Sequence, residues 1–268
     1  MKQKLLITLG CSFTEGVGCY DPELIKQYPI IDDNVREEIS NKSIERFHAN
    51  GWPPRLQQKL NYNKLINLGK GGTGESFQLK RFIEEFGGVD LSEEYDVLVI
   101  WLASPQGRLS FYVNGILYSI LSNWPYPDSK TDNLAKAYVD LIENVDLDTC
   151  LEQSFYIKTL KEICNGKNYN FLIFPLGETP SKLNDVLKIT ENMVSYYTFP
   201  NNNEILPDMS DPHYSSIMNC FHPNENGYEM VAERMFEIIK KYNPSLINNE
   251  GPVVFEREWR APKQWNLS

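Results

Sequence analysis

Leu5-Leu6-Ile7-Thr8-Leu9-Gly10-Cys11-Ser12-Phe13-Thr14-Glu15-Gly16 joins a short apolar run to a turn of small residues that carries a serine. A buried strand ending at a glycine can turn sharply. A residue on that turn points into the crevice beyond the strand's carboxyl end, where open α/β sheets bind ligands. The stretch reads as the first strand of an α/β fold, with Ser12 placed like a nucleophile. The same residues admit a plainer role, in which Ser12 caps the next helix and Glu15 completes an S-x-x-E capping box.

A second stretch, Asn219-Cys220-Phe221-His222-Pro223-Asn224-Glu225-Asn226-Gly227-Tyr228, favours the nucleophile. Pro223 and Asn224 suit a helix start, and the run from Glu229 to Ile239 repeats a mostly apolar stripe at three-to-four spacing. His222 therefore stands on a loop just before a helix. General bases are most often histidine, and the chain has three, at positions 48, 213 and 222.

Together these two stretches resemble the SGNH, or GDSL-type, hydrolase family, whose first block reads Gly-Asp-Ser with a glycine a few residues on. Its last block reads Asp-x-x-His-Pro-Asn-x-x-Gly-Tyr before a helix, as His222 to Tyr228 does. The family's second block, an Asn shortly before a Gly, is matched by Asn67-Leu68-Gly69-Lys70-Gly71-Gly72 after the strand-like Lys64-Leu65-Ile66. All three occur in the family's order between Lys4 and about Tyr242. The resemblance implies a three-layer α/β/α fold with a mainly parallel, flavodoxin-like sheet. It also implies a serine-dependent ester hydrolase in which Ser12 attacks an acyl carbonyl, His222 takes its proton, and backbone N–H groups at Ser12 and Gly72 hold the oxyanion.

Three positions depart from the family's pattern. Cys11 stands where Asp is usual beside the serine. The third block's Asn, an oxyanion donor after a strand, is missing from Ser104-Pro105-Gln106-Gly107-Arg108, so Ser104 or Gln106 would have to donate. Asn219 takes the place of the Asp that orients the imidazole. Its carbonyl can accept from His222 but supplies no charge to the imidazolium. Asp208 and Asp211 are alternative orienting acids. A catalytically weak or inactive binding or structural module with the same fold is the competing reading.

Gly69-Lys70-Gly71-Gly72-Thr73-Gly74 formally satisfies G-x-G-x-x-G, yet the next strand ends in Leu102-Ala103-Ser104 with no acid for a ribose, and no Gly-Lys-Ser or Gly-Lys-Thr occurs. The net charge of −10 and 41% hydrophobic content disfavour a nucleic-acid or anionic-membrane binder and fit one domain among the 268 residues. Five cysteines without a C-x-x-C pair point to reduced thiols, and the dispersed histidines to no metal site. No apolar run is long enough for a signal h-region or a membrane span, so a soluble protein is expected, cytoplasmic in keeping with its reduced thiols; no cofactor is expected.

Along the chain, strands and helices alternate: a loose helix within Asn34 to Phe47, a helix from Trp52 to Leu60 with Pro53 and Pro54 in its first turn, and strand Lys64 to Leu68. Helix Glu75 to Phe86, strand Val97 to Ala103, helix Cys150 to Asn165 and strand Phe171 to Leu176 follow. Residues 1–242 are expected to form the domain. An aromatic, turn-rich insertion at about 104–149 leaves from the third block, and a tail at 243–268 carries Trp259 and Trp265. The insertion should wall the site, with Gln106, Arg108 and Tyr112 facing a small ester or O-acylated carbohydrate. The tail should dock on its own domain or on a protein partner.

Overall fold

The computed structural model describes residues 2–21, 23–24, 27, 33–103, 108–113, 116–121, 133–134, 136–138, 140, 149–175, 218–219 and 222–261, with 33–37, 108–113, 116–121, 149–152, 154, 175 and 218–219 described by their backbone. The sheet begins with β1 (Gln3–Gly10), β2 (Lys64–Asn67), β3 (Tyr95–Ala103) and β6 (Asn170–Pro175), all parallel. A fifth strand, β9 (Glu256–Trp259), adds in parallel to the free edge of β2, giving the order β6-β3-β1-β2-β9. The chain thus steps from β1 outward to β2, then returns across β1 to β3 and β6. That reversal makes the β1/β3 boundary the topological switch point of a flavodoxin-like sheet.

Both faces are covered, as the near-continuous apolar strands require. Leu6, Leu65, Leu98, Ile100, Leu102, Leu172 and Phe174 pack on one side, against Trp52, Leu56 and Leu60 of α4 (Trp52–Leu60) and Val231, Met235 and Ile239 of α7 (Glu225–Tyr242). Leu5, Ile7, Leu9, Val97, Val99, Trp101, Phe171 and Ile173 point the other way, onto Leu79, Phe82 and Phe86 of α5 (Glu75–Phe86) and Ile157 and Leu160 of α6 (Thr149–Gly166). The period-two split of β1, β2, β3 and β6 between two cores is what makes the fold three-layered.

The remaining elements refine the sequence reading. The loose helix expected within 34–47 is two helices, α2 (Asp33–Lys42) and α3 (Ile44–Asn50), broken at Ser43, which sits at φ −100°, ψ 2°. Within the insertion, β4 (Arg108–Val113) and β5 (Ile116–Leu121) pair as an antiparallel hairpin. A short hairpin of β7 (Met218–Asn219) and β8 (His222–Pro223) precedes α7. In the 243–268 segment, β9 is a sheet strand. Its Glu256 amide donates to Asn63 O at 2.8 Å, and the Arg260 amide just past its end donates to Asn67 O at 3.2 Å.

Candidate active site

Ser12 opens α1 (Ser12–Glu15), a single turn at the carboxyl end of β1 and therefore at the switch point. Cys11 occupies the N-cap without a side-chain cap bond, and its carbonyl accepts from the Thr14 and Glu15 amides at 2.9 and 3.0 Å. The capping-box alternative is corrected by this geometry, since Ser12 is already inside the helix. Glu15 turns instead to another loop, its Oε2 accepting from the Gly71 N–H at 2.6 Å and its Oε1 from Lys70 Nζ at 3.2 Å.

Across 210 residues of sequence, His222 Nε2 lies 2.8 Å from Ser12 Oγ. Phe13 packs on the imidazole, with ring centroids 5.0 Å apart. Three features hold His222 there, two of them in the last block. Asn224 caps α7, its Oδ1 accepting from the Gly227 N–H at 3.0 Å. Fully buried Tyr228 donates its hydroxyl to Val17 O at 2.7 Å and so ties α7 to the segment just after Ser12; burial pushes that phenol well above its ordinary pKa. Gly18, at φ +113°, lets the backbone pass against β8 so closely that a Cβ there would stand 2.2 Å from Pro223 O and 3.0 Å from His222 Cβ. Gly18 was not singled out by sequence reasoning, and Gly16-Val17-Gly18, two glycines close behind the serine turn, was its only signal.

The Asn67 block builds the opposite side. Asn67 donates through Nδ2 to Thr14 O at 2.9 Å and accepts through Oδ1 from the Gly69 N–H at 2.8 Å, which fastens the loop after β2 to α1. Lys70 N–H continues the ladder onto Gly10 O at 3.1 Å. Gly72 follows with φ +75°. Trp259 of β9 donates Nε1 to Gly69 O at 3.4 Å and stacks on His48, with centroids 4.1 Å apart, so a residue of the C-terminal segment supports the same loop.

Asn219 lies directly opposite His222 in the β7–β8 register. Arg108 and Tyr112 are in β4, and their side chains, like that of Asn219, fall outside the described residues, as do Ser104, Gln106, Asp208 and Asp211. Cys11, Cys19 and Cys164 are free and buried, and burial pushes the Cys19 and Cys164 thiols up to about 12, so both stay protonated. Among the described residues no three His, Cys, Asp or Glu side chains converge on a metal position, and no helix is long and apolar enough to cross a membrane.

A serine hydroxyl in hydrogen-bond contact with an imidazole at a strand's carboxyl end can act as a base-assisted nucleophile. No protein-family profile matches the chain, and no curated protein matches it significantly. Solved structures do. One, assigned to the lipolytic G-D-S-L family, from Desulfitobacterium hafniense DCB-2, is 16% identical with a TM-score of 0.43 over 88% of this chain and 99% of that one. The acetyl xylan esterase Est2A from Butyrivibrio proteoclasticus is 14% identical with a TM-score of 0.46 over 92% of this chain and 66% of its own. A family two carbohydrate esterase from Clostridium thermocellum, solved with cellohexaose, is 12% identical with a TM-score of 0.42 over 90% and 64%.

Proposed function

We propose that the protein is a serine-dependent hydrolase of small esters, among them O-acylated carbohydrates, working through the Ser12–His222 pair. The observation that carries this reading is the 2.8 Å contact between Ser12 Oγ and His222 Nε2, made by two segments that both resemble SGNH blocks. With its proton on Nδ1, His222 accepts the Ser12 proton at Nε2 as Oγ attacks the acyl carbon. The tetrahedral oxyanion is held by the Ser12 and Gly72 amides, with Ser104 as the third donor. His222 then gives its proton to the departing alkoxide. Water attacks the acyl-serine with His222 again as base, which releases the acid and restores Ser12. Asn219 orients the imidazole, while Gln106, Arg108 and Tyr112 of the insertion contact the substrate. The chemistry requires no cofactor, and the free thiols of Cys11, Cys19 and Cys164 suit a cytoplasmic enzyme.

The replacement of the family's Asp by Asn219 favours a second reading, a binding module that has kept the fold without the turnover. One experiment separates the two. The purified protein is treated with a fluorophosphonate probe and assayed on p-nitrophenyl acetate beside Ser12→Ala. Labelling and hydrolysis that both vanish in Ser12→Ala are expected. Equal rates in the two proteins, or no labelling of the wild type, would sink the hydrolase reading.

A further inference from the structure

Glu15 is a buried acid that the proposed reaction does not use, 3% exposed and three residues from the nucleophile. Its carboxylate bridges two groups of the loop after β2, the Gly71 amide at 2.6 Å and Lys70 Nζ at 3.2 Å. The loop lies flush on the serine turn. A Cβ on Gly69 would stand 2.5 Å from Glu15 N, and one on Gly71 would stand 2.8 Å from Glu15 Oε2 and 3.6 Å from Ser12 Cβ. Asn67 and Trp259 fasten the Gly69 end, and Thr73 fastens the far end, its Oγ1 donating to Lys70 O at 2.7 Å and its O accepting from Gln78 Nε2 at 3.0 Å; between them Glu15 is the tie on the Gly71 amide, which leads into Gly72. Taking up the Gly71 N–H also leaves that amide unable to serve an oxyanion, which assigns the donor role to its neighbour. A carboxylate this near Ser12 would oppose negative charge developing on the substrate, and Lys70 offsets it.

We infer that Glu15 is a positioning residue: its carboxylate, through the Gly71 amide, fixes the loop that presents the Gly72 N–H to the oxyanion. The inference rests on the serine-hydrolase reading and sharpens it. Preorganised donors matter because their geometry is set before charge develops. A loop released from Glu15 should therefore bind substrate about as well and turn it over more slowly.

The test is kcat and KM on p-nitrophenyl acetate for wild type, Glu15→Ala, Glu15→Gln, Glu15→Met and Gly71→Ala, with kcat expressed per serine titrated by a fluorophosphonate, so that misfolded protein is not counted. Glu15→Ala should lose about a hundredfold in kcat at nearly constant KM, the size of the loss when one oxyanion donor is removed. Glu15→Gln, whose amide oxygen still accepts from Gly71, should recover to within about fivefold of wild type, whereas Glu15→Met, which fills the same space without an oxygen acceptor, should stay about as slow as Glu15→Ala. Gly71→Ala, whose methyl would crowd the carboxylate off the amide, should fall about tenfold or more by the same loss of donor geometry, and it carries the test where Glu15→Ala yields no titratable serine. Wild-type kcat per site in Glu15→Ala or Gly71→Ala, a Glu15→Gln as slow as Glu15→Ala, or a Glu15→Met as fast as Glu15→Gln, overturns the inference alone. A wild type that neither labels nor turns over removes the hydrolase reading and this inference together.

Discussion

Gly18→Ala should separate the two halves of the site without replacing either reacting residue. An alanine methyl at position 18 would stand 2.2 Å from Pro223 O, and ordinary packing tolerates nothing under 3.0 Å, so β8 or the 16–19 turn must give way by about 0.8 Å. The backbone on the far side is that of His222 and Pro223, whose ring contact with Ser12 is 2.8 Å. Adding the displacement brings that contact to about 3.6 Å, beyond hydrogen-bond reach. Loss of a positioned general base costs about 10²–10⁴ in rate, so kcat on p-nitrophenyl acetate should drop by at least about a hundredfold. Holding a side chain at φ +113° adds strain of about 2 kcal/mol, which lowers Tm by roughly 4–8 °C in a domain of this size. Gly251→Ala is the control, because Gly251 also has positive φ, +42°, but nothing lies within 4 Å of its Cβ position. It should lower Tm modestly and leave kcat alone. A Gly18→Ala protein with wild-type kcat would refute the claim that this close approach sets the Ser12–His222 distance.

Tyr228→Phe removes the 2.7 Å bond to Val17 O, a part-buried contact, so thermal unfolding should show a loss of about 1 kcal/mol. His48, stacked on Trp259 with Nε2 buried and unbonded, has its pKa lowered from 6.5 to about 4, by burial first and by Lys70 second. The unfolded chain therefore takes up a proton that the folded one refuses, and stability present in full above pH 6.5 is lost as pH falls toward 4. The ceiling is about 3 kcal/mol, and screening at a half-buried ring cuts it to about 1–2. His48→Phe should keep the stack and show a shallower fall in urea midpoint over that window; an unchanged slope would show that His48 is not the group responsible. Asn219→Asp should raise turnover if Asn219 orients His222, since an anion stabilises the imidazolium that forms as Ser12 attacks. If Asp208 or Asp211 does so, Asp208→Asn or Asp211→Asn should lower the rate instead, and assaying all four proteins on one ester decides between them.

What the sequence made legible followed from local physics. Helix α4 starts where Pro53 and Pro54 can occupy a first turn whose amides need no partner, and α5 starts after Gly74, so both spans could be read residue by residue. The inner strands were legible because two covered faces demand continuous apolar runs. The break at Ser43 was not, since no glycine or proline marks it. Strand β9 escaped for the opposite reason to the inner strands: Glu256-Arg257-Glu258-Trp259 is an edge strand, mostly polar and partly exposed, whose partner β2 lies about 190 residues earlier in the chain.

Glu15 shows most clearly where local reading stops. S-x-x-E satisfies the spacing of a capping box, and within the four residues nothing distinguishes a carboxylate that folds back onto its own helix from one that reaches outward. The choice is made by the Gly71 amide, 56 residues away, which arrives bare of side chain at the one place where it can meet Oε2 at 2.6 Å. That amide is delivered by Asn67, which bonds Thr14 O and the Gly69 N–H together, and Asn67 is at the end of β2 because the apolar pattern put the strand there. The serine turn and the glycine loop therefore specify each other. Each is ambiguous alone, and their order along the chain is informative because the parallel sheet brings the ends of β1 and β2 side by side.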